Sequence, residues 1–384
     1  MTQGSHLEKL CLIDDGVGRD MISDFTTNLI KRYLLEYTQT FARKHLALSQ
    51  RKRVAVPKVS LNYATEAWQS EAFELPHLGG DYVILRSTPI CRVNRQSFAP
   101  GSPVGDSGPM HGPDILARTL SVAVPTGASR ALWQYHSRGD RHSKVACWGI
   151  LFDLLQQCST LTEHVRSGRV ACGINHEMKD FKQGRKKNLD LVLCVPGTNQ
   201  RAPKRAEGFK AMVERHSIVL NAAERTLLDG LPDIPEAPVG SVHVALEAKA
   251  CMTEHIKAMP RLYDELNSSH LTIHGSSEMV IAVGFVMVNI ASTFQSPSRS
   301  TVTKHRQPFV AEKVVAKVRE LPRRSSVADT GFDAMSIVVV DCQNDGSPVQ
   351  IRTSPPAPAQ GDIFHYDSMI HRLAQLYASR FPRI

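Results

Sequence analysis

The chain lacks the marks of a secreted, membrane-spanning or zinc-held protein. Its eight cysteines, at 11, 91, 147, 158, 172, 194, 251 and 342, form no Cys-x-x-Cys pair, and Cys172 and Cys194 sit in apolar segments. That pattern argues against a disulfide framework or a zinc knuckle and for buried thiols in a reducing compartment. The opening residues, Met1-Thr2-Gln3-Gly4-Ser5-His6-Leu7-Glu8, contain no apolar signal core. The longest apolar run, Met279 to Ile290, includes Gly284 and Asn289 and is too short to cross a bilayer. A soluble cytoplasmic protein without a membrane partner is expected. No internal repeat, long low-complexity tract, zinc finger or helix-turn-helix module is legible, so no base-reading element can be named. Acids are the scarcer charge, 37 against 46 Lys and Arg, and the net charge of +9 favours a polyanionic partner.

What is present suits a globular chain. A length of 384 residues allows one large domain or two to three smaller ones, and 42% apolar with 22% charged residues is ordinary for such a fold. Ile22, Phe25, Leu29, Tyr33, Tyr37 and Phe41 recur at spacings of three and four, which predicts a helix over 21–46. Strands are expected at 54–61 and 82–93, a helix at 148–169 and a strand at 169–175. A basic turn with Lys179, Lys182, Arg185, Lys186 and Lys187 follows. Further helices are expected over 207–230, 253–267 and 366–381, with strands over 279–290 and 336–342. Residues 296–326 read as a basic, Ser-rich stretch.

Two apolar segments carry charge that demands an explanation. Asp190 lies inside Leu189-Asp190-Leu191-Val192-Leu193-Cys194-Val195, and Val242-His243-Val244-Ala245-Leu246 runs into Glu247-Ala248-Lys249. Ionised groups on buried strands cost several kcal/mol unless paired or metal-bound. The acid-x-Lys lettering is near chance, about one or two per chain of this composition. Glu177-Met178-Lys179 and Asp180-Phe181-Lys182 share it in polar sequence, so only the strand-embedded copy is informative. Strand alternation puts Glu247 and Lys249 on one face, and a neighbouring Asp190 strand would bring a second carboxylate beside them. Paired carboxylates suit a hard divalent cation, and a compact ammonium beside them can stabilise phosphoryl charge.

These residues, in this order of elements, resemble the PD-(D/E)XK nuclease superfamily, the fold of many restriction endonucleases, with Leu189 in place of the proline before the acid. The resemblance implies an α/β (α+β) protein with a restriction-endonuclease-like αβββαβ core and a mixed central sheet over 148–295. It also implies an insertion at 196–240, an N-terminal region at 1–147 for target recognition or assembly, and a C-terminal region at 296–384. It implies Mg²⁺ as cofactor, with Mn²⁺ substituting, held by Asp190, Glu247 and the Ala248 carbonyl, and Glu163 as a further ligand. Asp190, Glu247 and Lys249 would be catalytic. Lys182, Arg185, Lys186, Lys187, His255, Lys257 and Arg261 would contact nucleic acid. The function implied is hydrolysis of double-stranded DNA by a homodimeric, type II-like restriction endonuclease in host defence. The alternatives are an anti-phage effector nuclease with little sequence specificity, switched on by a partner protein or ligand, and a non-catalytic nucleic-acid-binding protein that kept the fold.

Overall fold

The computed structural model describes residues 19–62, 67–78, 81–82, 109–126, 130–181, 183–197, 208–326 and 329–384. The chain divides into two compact units, residues 1–98 and 99–384.

The first unit holds helix α1 (Arg19–His45), strands β1 (Arg51–Asn62) and β2 (Ala67–Leu78), and the short β3 (Asp81–Tyr82). β1 and β2 form an antiparallel ribbon from Arg51↔Pro76 to Asn62↔Ala67, with a register shift between Val56 and Ser60. That shift contains Pro57, which has no N–H for the ladder. Leu35 of α1 packs with Val56, Val59, Phe73 and Leu75 as a small buried core. The alternation Phe73, Glu74, Leu75 sends the acid outward, where Arg43 lies 2.9 Å from its carboxylate. The strand expected over 82–93 falls, beyond Tyr82, outside the described residues.

The second unit begins with α2 (Gly112–Leu120), a β4–β5 hairpin (Val124–Thr126, Ala131–Trp133), α3 (Arg141–Gln157) and α4 (Ser159–Arg166). β6 (Ala171–Lys179) and β7 (Lys186–Pro196) follow, then α5 (Met212–Arg215) and α6 (Ala222–Gly230). β8 (Val239–Cys251), α7 (His255–Ser276) and β9 (Ile281–Asn289) come next. The chain closes with β10 (Thr293–Phe294), β11 (Thr303–Lys304), α8 (Phe309–Arg319), β12 (Ala334–Asp341), β13 (Gln350–Arg352) and α9 (Tyr366–Arg380).

Six of these strands make one mixed sheet in the order β13-β12-β9-β8-β7-β6. β6, β7 and β8 form an antiparallel meander, β8, β9 and β12 run parallel, and β13 turns back antiparallel. A parallel return needs a crossover, which α7 supplies between β8 and β9. All nine residues of β9 are buried, as expected of a central strand covered on both faces. Leu191, Leu193, Val244 and Leu246 point to one core, shared with α2, α3, α4 and α9. Val192, Ala245 and Val286 point to the other, shared with α7 and α8. Mixed α/β architecture is thus as expected, with a helical layer on each face.

The expected helix over 148–169 is two helices, broken at Cys158 in extended geometry, whose sulfur accepts the Leu161 N–H. The expected region boundaries at 147/148 and 295/296 do not coincide with the division at 98/99. α2 packs on α3 where Gly112 and Gly149 approach so closely that a Cβ on Gly149 would meet Gly112 Cα at 2.9 Å. β12 joins β9 in the sheet, and α9 packs against β12 and α3. Residues on both sides of 148–295 therefore belong to the same core. The six cysteines among the described residues are free and buried, and no helix there is long and apolar enough to cross a membrane.

Candidate functional site

The strand ladders on both sides of Asp190 are interrupted at that residue. The β7–β8 ladder runs through Val192↔Ala245 and Leu191↔Leu246 and then stops. The β6–β7 ladder pairs Ile174↔Leu191 and His176↔Leu189 but skips the position between them. Asn175 sits there with φ +50°, a left-handed conformation that asparagine tolerates better than most residues. Freed from the ladder, Asp190 turns its carboxylate to groups that would otherwise lack partners. Oδ2 accepts the Ala248 N–H at 2.9 Å. Oδ1 accepts from the Ser143 hydroxyl at 2.9 Å and from the Lys144 ammonium at 3.0 Å.

Lys144 is itself a buried device. Its side chain is 1% exposed, and its ammonium also donates to Asn175 Oδ1 at 2.5 Å and to the Asp190 carbonyl at 3.1 Å. All three of its donors are engaged. Burial works against the Asp190 charge, but Lys144, the Ala248 N–H and Ser143 outweigh it and hold the carboxyl below its ordinary value.

Glu247 lies in the regular part of β8, 1% exposed, with the Lys249 ammonium 2.8 Å from Oε1 and Lys187 at 3.8 Å. Its Oε2 has no hydrogen-bond partner among the described residues. Burial pushes the Glu247 carboxyl up; Lys249 opposes that and Asp190 adds to it. Lys249 also meets Glu265 of α7 at 3.3 Å, and Glu265 pairs with Arg261 at 2.6 Å. Burial works against the Lys249 charge, but the Glu247 and Glu265 carboxylates raise its pKa.

A cavity of about 430 Å³ opens beside these groups, lined by Asp190, Ala248, Lys249 and Glu265 together with Asp140, His142 and Ser143. Glu247 is not among the lining residues. Asp190 engages α3, whereas Glu247 follows the strand's alternation and sits beneath Lys249 toward α7. The side-by-side carboxylates expected from alternation alone are modified by the break at Asp190.

Each of the two acids keeps acceptor capacity beyond its protein contacts. Glu247 Oε2 is unpartnered and Asp190 Oδ2 has a single donor, so lone pairs remain on each. Among the described residues no group of three or more His, Cys, Asp and Glu could hold a metal. A tetrahedral zinc set is therefore not built here. Magnesium, which keeps several waters and needs only one or two carboxylates, makes the smaller demand on acceptors of this kind.

Two expected contacts, His255 and Glu163, are corrected. His255 is 2% exposed and donates through Nε2 to the Asn289 carbonyl at 2.7 Å, so it faces the core and not a ligand. Burial takes its pKa down to about 4. Glu163 is exposed on α4, whose buried face is Leu161, Thr162, His164 and Val165, and it does not line the cavity. Lys187 points inward to the Glu265 carbonyl at 3.3 Å. Lys186 pairs with Glu177 at 2.9 Å, and Arg185 bonds Gln183. Lys257 is exposed and pairs with Glu254 at 3.1 Å, Arg261 lines the cavity, and Lys182 lies outside the described residues.

Ser143, Lys144, Asn175, His142 and Glu265 join the site unannounced by any motif. Lys144 did leave a signal, a charged residue at the start of the apolar run Val145-Ala146-Cys147-Trp148. His142 looks incidental beside Cys147 in the sequence, yet it lines the cavity with its ring 4.9 Å from that of Tyr135.

Residues 1–97 match a family model described as a domain of unknown function (DUF8370). The match spans the first compact unit and stops short of the unit that bears the cavity. No curated protein matches the chain, and no solved structure does.

Proposed function

We propose that the unit spanning 99–384 is a Mg²⁺-dependent endonuclease hydrolysing DNA phosphodiester bonds, of the type II-like restriction kind. The order α3–α4–β6–β7–α5–α6–β8–α7–β9, an antiparallel meander with α5 and α6 inserted before β8 and then a helical crossover to a parallel strand, resembles the αβββαβ core and supports the reading. The observation that carries it is the meeting of Asp190 and Lys249 at one cavity, above a buried glutamate with an unpartnered oxygen.

The roles follow from the contacts. Bound Mg²⁺ would polarise a phosphoryl oxygen and lower the pKa of a water. Asp190, held by Ser143, Lys144 and the Ala248 N–H, presents Oδ2 in fixed geometry. Glu247 anchors Lys249 from below at 2.8 Å. The Lys249 ammonium at the cavity wall orients the attacking water and stabilises charge on the phosphoryl oxygens. In hydrolysis, the water oxygen bonds to phosphorus and gives up a proton to solvent, the bond to the leaving sugar oxygen breaks, and that oxygen takes a proton from solvent.

A second reading has an observation of its own. Both acceptor directions of Asp190 Oδ1 are filled by protein donors, which suits a non-catalytic protein that kept the fold. Incubating the full chain with plasmid and Mg²⁺ decides between them. The nuclease reading expects cleavage, with Lys249→Ala and Asp190→Ala each reducing it by about 100-fold or more while DNA binding persists. Wild-type protein that binds DNA and never cuts it with Mg²⁺ or Mn²⁺ selects the second reading.

A further inference from the structure

We infer that the segment from β11 to the start of α8 is a track for the phosphate backbone of duplex DNA, leading to the rim of the Asp190 cavity. This rests on the nucleic-acid reading of that cavity. The track is carried by three cations that no sequence motif marks.

Residues 299–324 look uniformly basic, but the structure sorts them. Arg299 pairs with Glu254 at 2.7 Å, Lys317 with Glu320 at 2.6 Å, and Arg319 with Asp362 at 2.6 Å. Arg324 is buried against Asp333. Lys304, Arg306 and Lys313 are exposed, and among the described residues no carboxylate pairs with any of them. Cations left unpaired on a rim are available to a polyanion, whereas paired ones must first break a contact.

Their position is tied to the cavity. His305, between Lys304 and Arg306, turns inward: Nδ1 donates to the Ala291 carbonyl at 2.9 Å, and Nε2 accepts from the Thr253 hydroxyl at 3.1 Å. Thr253 lines the cavity, and the adjacent Glu254 holds Arg299. His305 turns inward just past the end of β11, while Lys304 and Arg306 on either side of it are exposed. The Arg306 guanidinium and the Lys313 ammonium lie 5.1 and 4.5 Å from the centre of the Phe309 ring, which is 42% exposed. The ring thus holds two cations in place and is not an open platform for a base to stack on. Phosphate contact to a duplex fits that geometry better than single-strand stacking.

The test measures binding of the full chain to a short DNA duplex in EDTA, across about 50 to 200 mM salt. Each lost phosphate contact flattens the slope of log affinity against log salt by about 0.9. Lys304→Gln/Arg306→Gln/Lys313→Gln should therefore flatten it by between about 2 and 3. Lys317→Gln/Arg319→Gln, on paired cations, should leave the slope unchanged, which controls for loss of net charge. An unchanged slope in the triple variant, an equal loss in the control, a loss confined to single-stranded RNA, or no duplex binding by wild type overturns the track. Divalent-free binding separates this from catalysis: a flattened slope in a protein that never cuts leaves the track standing and removes the nuclease reading.

Discussion

The second unit contains two buried charge clusters, and the contrast between them separates architecture from site. Asp333, 1% exposed, is closed on every side. Arg380 donates to Oδ1, the Ala282 N–H to Oδ2 at 2.9 Å, and Arg324 and His274 stand 3.6 and 3.8 Å from Oδ2. These partners come from β9, α7, α9 and the loop before β12, and none of them lines the cavity at Asp190. The Asp190–Glu247 cluster uses the same ingredients, buried carboxylates with Lys144 and Lys249, but it remains incomplete. One Glu247 oxygen is unpartnered, and a cavity opens beside Asp190 and Lys249. The Asp333 cluster also leaves one buried donor, Arg380 Nη1, without a partner among the described residues, so what sets the Asp190–Glu247 cluster apart is the open space beside its charged groups.

The largest expected effect falls on the closed cluster. Asp333→Ala strands Arg324 and Arg380 without their carboxylate, and loss of one partner from a buried pair costs about 3–5 kcal/mol. Chemical denaturation should show a loss of that size. A loss below about 1 kcal/mol would erase the distinction drawn between the clusters. Lys144→Met comes next. It removes the ammonium that joins Asn175, the Asp190 carbonyl and Asp190 Oδ1. A buried hydrogen-bonded charge replaced by an apolar side chain leaves those acceptors short, at about 2–3 kcal/mol. If Lys144→Met is as stable as wild type by denaturation, Asp190 is not held in the way described.

The same contrast explains what sequence alone could reach. Segments whose burial is periodic were legible: α1, the apolar cores of β7, β8 and β9, and α9 stand within a few residues of where composition put them. The acid-bearing strands were legible because Asp190 and Glu247 violate an apolar pattern. β2 was not, because only Phe73 and Leu75 of its inward face are large and apolar among Glu71, Glu74 and His77. α8 was hidden by its basic surroundings, although Ala311, Val314, Val315 and Val318 repeat at helical spacing and are buried. The rest of the site is long-range. Ser143 and Lys144 reach Asp190 across 47 and 46 residues, and Asn175 contributes through a left-handed turn that breaks a ladder. No local pattern announces such a meeting. Nor could alternation foresee that Asp190 would turn toward α3 while Glu247 stayed beneath Lys249.

Histidines sharpen the comparison at smaller cost. Burial lowers the pKa of His142, in the open cavity, to about 4, and burial together with Arg324 lowers that of His274, in the closed cluster. Both rings are neutral in the folded protein, so the unfolded chain binds protons first as pH falls below the ordinary value of 6.5. For His142, stability is therefore full above 6.5 and is lost progressively toward about 4, and for His274 the loss likewise begins below the ordinary value. The variants should differ at neutral pH. His274 donates to the Gly331 carbonyl at 2.9 Å and accepts from Arg324 at 2.8 Å, so His274→Asn should cost about 2 kcal/mol at pH 7. His142→Asn should cost less than about 1 kcal/mol there and should weaken the acid loss. Denaturation at pH 7 and pH 5 measures both, and equal costs at pH 7 would contradict the assignment of His142 to an open wall.

The smallest expected stability change carries the most functional information. Burial raises the Glu247 carboxyl above its ordinary value of 4.5, so the folded protein binds that proton more tightly than the unfolded chain does. Stability attributable to this group is present below 4.5 and is lost as pH rises through the raised value, the reverse of the pattern for Asp190. Glu247→Gln removes the buried charge and keeps the shape. Lys249, 28% exposed, retains Glu265 at 3.3 Å and is not left unpaired. Stability at pH 8 should therefore stay within about 1 kcal/mol of wild type or rise, because burial disfavours the Glu247 charge and the partly exposed Lys249 keeps a second carboxylate. Cleavage should fall by about 100-fold in the same variant. A group whose removal leaves the fold intact or firmer while abolishing chemistry is retained for function. If Glu247→Gln instead loses as much stability as Asp333→Ala, the two clusters are alike and both are architecture.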